Sequence, residues 1–231
     1  MYSLWEVLKI DRSSIQKEKI LRNAFLLFKE KGYSNTTTRE IAEFAQINKG
    51  LLHYYYKQKE DIIFEMYNDL LNGLYSYVEN EYSSKVDGFT YYAVVNNLFF
   101  KTISSRPYLI SNLSDIILNR NLTRIKTEKS ADLCYKIFND FDIPITEYKL
   151  YLAVTVALGA ETELILNIND GKLKMTYDKL AKTTNKLLFT MLKIKESEIK
   201  VIISDSTKIS DTINVDLILE YLISSYSWLQ S

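Results

Sequence analysis

Proline occurs only twice and glycine six times in the 231 residues, too few to punctuate the many short strands of a β-rich fold. Long helices are the natural alternative. The single cysteine, Cys134, excludes an internal disulfide and a CxxC metal pair, and the single histidine, His53, excludes a histidine-rich metal centre. A reducing, cytoplasmic setting is expected. No run of 18 apolar residues is present, so no membrane span is expected. Glu6 and Lys9 interrupt Met1–Ile10 where a leader peptide needs an apolar centre. HExxH, a glycine-rich phosphate loop, a nucleophile elbow and paired acidic metal motifs are all missing. Neither enzymatic chemistry nor a cofactor is expected.

What is present is an ordinary globular balance, 47% apolar and 25% charged, with an excess of tyrosine at 18 residues. The formal charge is zero but unevenly spread. Met1–Glu60 holds eleven of the 29 basic residues and seven of the 29 acidic ones. A basic head on an acidic body suits a nucleic-acid-binding end.

Ile20, Leu21, Ala24, Phe25 and Phe28 form one helical stripe. Ser13 and Gln16 are spaced as a capping box, and Gly32 supplies a stop. Thr36, Thr37 and Thr38 offer caps for a short second helix with Ile41, Ala42 and Ala45 inward. Asn48 then caps a third, from Lys49 to about Tyr56. Two short helices joined by Gln46-Ile47-Asn48 make a helix-turn-helix. Leu52 and Tyr56 would hold the third helix to the first two, leaving Lys49, Gly50 and Leu51 outward, at the end where such helices meet base edges.

The segment from Thr37 to Asp61 resembles the DNA-binding motif of the TetR family, with Thr37, Thr38, Ile41, Ala42, Ala45, Gly50, Leu52, Tyr55, Lys59 and Glu60 matching by identity. The resemblance covers about residues 16–65. It departs at Gln46, where the family has a turn glycine, and at His53, where it has tyrosine. The resemblance implies an all-α protein: a three-helix DNA-binding domain over 1–60 and a helical effector-binding and dimerisation domain over 61–231. Thr38, Arg39, His53, Tyr54, Tyr55 and Lys59 are the candidates for phosphate contact, and Lys49, Gly50 and Leu51 for base edges. Tyr54, Tyr55 and His53 also read as packing residues, and Lys59 as a solvated charge.

Beyond Lys59, helical period recurs from Ile62 to Tyr77, over 90–104, 107–120, 123–140, 146–168 and 176–193, and over 213–229; Val201–Ile203 is ambiguous. Ala153, Ala157, Gly159 and Ala160 are small residues that let another helix approach, and the resemblance puts a homodimer seam there. The competing reading is protein core. Glu161 and Glu163, which interrupt this apolar run, read as rim residues of that seam. Tyr91, Tyr92, Phe99, Phe100, Tyr108, Phe138 and Tyr151 are candidates to line an effector cavity, with core again as the alternative. The expected function is a ligand-responsive regulator, a repressor binding a palindromic double-stranded operator as a homodimer and released by an apolar or amphipathic small molecule. A helical sensor or interaction protein without specific DNA binding is the rival.

Overall fold

A computed structural model describes residues 4–82 and 86–229, all helices and connections with no strand among them. The Glu6 and Lys9 side chains lie outside the described residues.

α1 (Leu4–Lys31) passes through Ser13 rather than starting there. With no proline or glycine between Leu4 and Lys31, extending a nucleated helix is easier than starting a new one. Gly32, at φ 83°, ends it by donating its N–H to the Phe28 carbonyl at 3.0 Å. α2 (Thr38–Phe44) and α3 (Lys49–Tyr55) follow. α4 (Lys59–Tyr82) is long and unbroken. Its Ile62, Ile63, Phe64 and Met66 join an apolar cluster with Ile20, Ala24, Phe28, Ile41 and Leu52. Its Tyr67, Leu74 and Val78 join the larger cluster of the body. One helix therefore connects both cores.

The body comprises α5 (Gly88–Ser104), α6 (Pro107–Leu118), α7 (Arg120–Asp140), α8 (Glu147–Asn169), α9 (Tyr177–Met191), α10 (Glu196–Thr212) and α11 (Val215–Ser225), ending in a 3-10 turn at Ser227–Leu229. Asp87 caps α5, its carboxylate accepting the N–H groups of Phe89 and Thr90. α5 is the axis, packed against α4, α6, α7, α9, α10 and α11. Its register on α9 is set by amides: Asn96 Nδ2 donates to Asn185 Oδ1 at 2.8 Å, and Asn185 Nδ2 donates to Asn97 Oδ1 at 3.1 Å. The ambiguous Val201–Ile203 is helical within α10, and the expected 213–229 helix stops at Ser225 before the final turn.

Of the described helices, α8 alone has the length and apolarity to cross a membrane. Of the two carboxylates expected at a rim, Glu163 is exposed but Glu161 is buried. Glu161 is 3% exposed and paired at 2.6 Å with Lys126 of α7, itself 2% exposed. An apolar helix surface cannot take a lone carboxylate, so the ion pair is what allows Glu161 to lie between α7 and α8.

Candidate nucleic-acid interface

α2 is started by a reciprocal cap. Thr37 Oγ1 accepts the Glu40 N–H at 3.2 Å, and Glu40 Oε2 accepts the Thr37 N–H at 2.8 Å. Glu40 also pairs with Lys31 at the end of α1. The Lys31 contact, then the two Thr37 hydrogen bonds, hold the Glu40 carboxyl down to about 2. At the other end, Ile47 donates its N–H to the Ala42 carbonyl at 2.9 Å while Gln46 takes φ 52°. The left-handed position that usually holds glycine is thus occupied here by a residue with a Cβ.

Asn48 then caps α3, its Oδ1 accepting the Leu51 N–H at 2.8 Å. A Cβ at Gly50 would stand 3.2 Å from that same Oδ1, so glycine leaves the cap room. Leu52 (0% exposed) and Tyr56 (2%) face inward. Tyr56 OH donates to Glu65 Oε2 at 3.1 Å, and Lys17 of α1 binds the same carboxylate. Burial and then the Glu65 charge raise the Tyr56 phenol far above its ordinary value, so it stays a donor. α3 is thereby clamped to α1 and α4 along one side.

Its other side is open. Lys49 and Gly50 are exposed, Leu51 is half-buried, and Tyr54 is 72% exposed with its ring edge-on to Tyr55 at 5.1 Å. His53 Nδ1 lies 3.2 Å from the Lys57 carbonyl. A carbonyl only accepts, so Nδ1 carries the proton and Nε2 is left as an acceptor when the ring is neutral. Thr38 is half-buried at the first turn of α2, and Arg39 is exposed, paired with Glu43 at 2.8 Å. Lys59 differs from the other candidates. Its ammonium donates to the carbonyls of Tyr33 at 2.7 Å and Thr36 at 2.8 Å and sits 4.0 Å from the Tyr33 ring centre. Sequence reasoning had no signal for that assignment, because both carbonyls are more than twenty residues away.

Two further faces bear on function. On α8, Ala153 and Ala157 are buried within the protomer, while Gly159 is exposed and Ala160 half-buried. The exposed apolar side chains of that helix are Tyr148, Tyr151, Leu152 and Val156. Of the aromatic cavity candidates, Phe99 and Tyr108 line an apolar cavity of about 100 Å³ between α1, α4, α5, α6 and α11. Tyr92 and Phe99 line a second of about 40 Å³ that reaches Glu161. Tyr91, Phe100 and Phe138 are buried in the body core, and Tyr151 is at the surface, 46% exposed. The first cavity also uses Phe25, Phe28, Thr102 and Trp228, which the sequence pattern did not mark. Phe25 and Phe28 read there only as helix stripe.

Residues 20–66 match the family model described as bacterial regulatory proteins, tetR family. The negative regulator of the biofilm operon, IcaR, from Staphylococcus epidermidis is 48% identical over 46 residues, 20% of this chain and 25% of that protein. The matched part thus spans only a quarter of that relative. Among solved structures, Thermus thermophilus FadR in complex with lauroyl-CoA is similar at TM-score 0.60 and 19% identity, over 78% of this chain and 96% of that one. RolR in complex with resorcinol is similar at TM-score 0.61 and 15% identity, over 84% and 96%. At such identities these two likenesses speak for the fold.

Proposed function

We propose that this chain, whose residues 20–66 match the tetR family of bacterial regulatory proteins, is a ligand-responsive transcriptional repressor of that family. The observation that carries the reading is α3, clamped along its Leu52–Tyr56 side and open along Lys49, Gly50, Leu51 and Tyr54. A helix held in that way enters the major groove, where base edges present a readable pattern. Lys49, Gly50 and Leu51 meet base edges in this reading. Thr38, Arg39, His53, Tyr54 and Tyr55 meet phosphates, while Lys59 positions the loop between α1 and α2. The domain border at residues 60 and 61 falls at the start of α4.

Two copies pair through α8. Tyr148, Leu152, Val156 and Gly159 recur along one exposed helical side, which supports a seam there. Pairing presents two α3 helices to a palindrome whose half-sites lie about 34 Å apart. An effector in the body releases the operator by favouring a different head spacing, and a near-complete release requires about 5 kcal/mol of differential affinity. The neighbours' ligands, lauroyl-CoA and resorcinol, each join an apolar part to polar groups, which supports an amphipathic small-molecule effector. Such a regulator works in the cytoplasm.

The deciding experiment is a gel shift with the purified chain and the DNA upstream of its own gene, with unrelated DNA as competitor. A competitor-resistant shift at moderate salt is the expected result. Equal binding to both DNAs, or none at low salt, favours the helical sensor without specific DNA binding.

A further inference from the structure

The cavity beside Phe99 and Tyr108 is not confined to the body. Phe25 and Phe28 of α1 supply one wall, and Leu222 of α11 with Trp228 of the final turn supply another. Trp228 is 6% exposed, its indole N–H donates to Asp69 Oδ2 at 2.8 Å, and its ring meets Phe25 edge-on at 5.4 Å. The segment leading to it is tied down. Lys101 Nζ donates to the carbonyls of Ser210 and Ile213 at 2.8 and 2.7 Å, and Arg106 pairs with Asp216 at 3.3 Å. The C-terminal segment therefore closes the cavity over the junction between the DNA-binding helices and the body.

One polar residue of this apolar wall has a hydroxyl without a partner. Thr102 lines the cavity and is 0% exposed, and its hydroxyl makes no hydrogen bond. Buried hydroxyls are ordinarily satisfied, so a lone one in a cavity wall is a waiting half of a hydrogen bond. A second wall residue, Asn112, already has its Oδ1 engaged by the Tyr33 N–H of the α1–α2 loop at 3.2 Å. A molecule in the cavity thus touches the support of the DNA-binding helices directly.

We infer that this cavity is a ligand site for a compact, mainly apolar molecule carrying one hydrogen-bonding group, which bonds Thr102 and is enclosed by Trp228. The volume of about 100 Å³ limits the guest to a single small ring, since an apolar cavity of about 150 Å³ takes benzene. Its role as the effector site rests on the regulator reading above; binding itself does not.

Two probes that differ only by one hydroxyl test it: p-cresol and toluene. In a Trp5→Phe background Trp228 is the remaining indole. Both probes shift its emission saturably, p-cresol binding about fivefold tighter, and calorimetry on the unsubstituted chain gives the same ranking. Thr102→Val keeps the shape and removes the preference, whereas Trp228→Ala weakens both probes alike. Absence of any saturable response up to the solubility limit, or an undiminished p-cresol preference in Thr102→Val, overturns the site. A chain that takes p-cresol but binds no DNA keeps the site and removes the regulator reading. One that binds DNA and neither probe removes the site alone.

Discussion

The Lys59 ammonium lies 2.7 Å from the Tyr33 carbonyl, across the loop that joins α1 to α2. With the second bond to Thr36, it holds that loop against the start of α4. Burial, the largest influence, lowers its basicity, and neighbouring carboxylates partly offset this. Lys59→Met leaves the two carbonyls without this donor and is expected to cost about 1–3 kcal/mol of stability, read as a lower denaturation midpoint. Binding to DNA weakens for every sequence alike, while the slope of log affinity against log salt stays unchanged. A slope smaller by about one would assign the amine to a phosphate instead.

Gln46 occupies a left-handed conformation that costs a non-glycine residue about 1–2 kcal/mol. Gln46→Gly relieves this and adds chain entropy to the unfolded state. The net expectation is a gain of about 0.5–1 kcal/mol, measured by urea denaturation. A loss would mean that the Gln46 side chain contributes contacts of its own.

The Lys31–Glu40–Thr37 cluster makes the start of α2 sensitive to acid. Glu40 titrates near 2 in the folded chain against an ordinary 4.5. Its contribution is therefore complete above the ordinary value and is lost as pH falls from about 4.5 towards about 2. Melting curves between about pH 6 and about pH 2.5 are expected to fall less steeply for Glu40→Gln than for the parent. Parallel curves would remove Glu40 from the account.

The buried Lys126–Glu161 pair is expected to be costly to break and cheap to replace. Lys126→Met or Glu161→Leu alone strands a charge between α7 and α8 and destabilises by about 3–5 kcal/mol. The double substitution recovers most of that loss. A double-mutant cycle in guanidinium measures the coupling, and additive single effects would show that the two side chains act independently.

How much of this was legible beforehand follows from the range of each interaction. Thr37 and Asn48 were readable as caps because a capping side chain bonds an N–H only three residues on. The helices of the body other than α10 were readable from their apolar period, and the family motif marked α2, the turn and α3. Glu161 was read as a rim residue because its partner is 35 residues away. The small residues of α8 were ambiguous for a similar reason. Ala153 and Ala157 permit close approach of any helix, and only the packing shows that the neighbour belongs to the same protomer.

Local composition therefore determined that this chain is helical and where α2 and α3 are capped, since caps and periodicity act within a few residues. The folded chain alone decided that Lys59 holds a loop, that Glu161 is paired rather than solvated, and that Trp228 returns to cover a cavity beside Phe25. Those outcomes depend on chain closures that run from Lys59 back to Thr36 and from Trp228 back to Phe25. Contacts of that span depend on which surfaces packing brings together, a property of the whole assembly of helices and of no single segment.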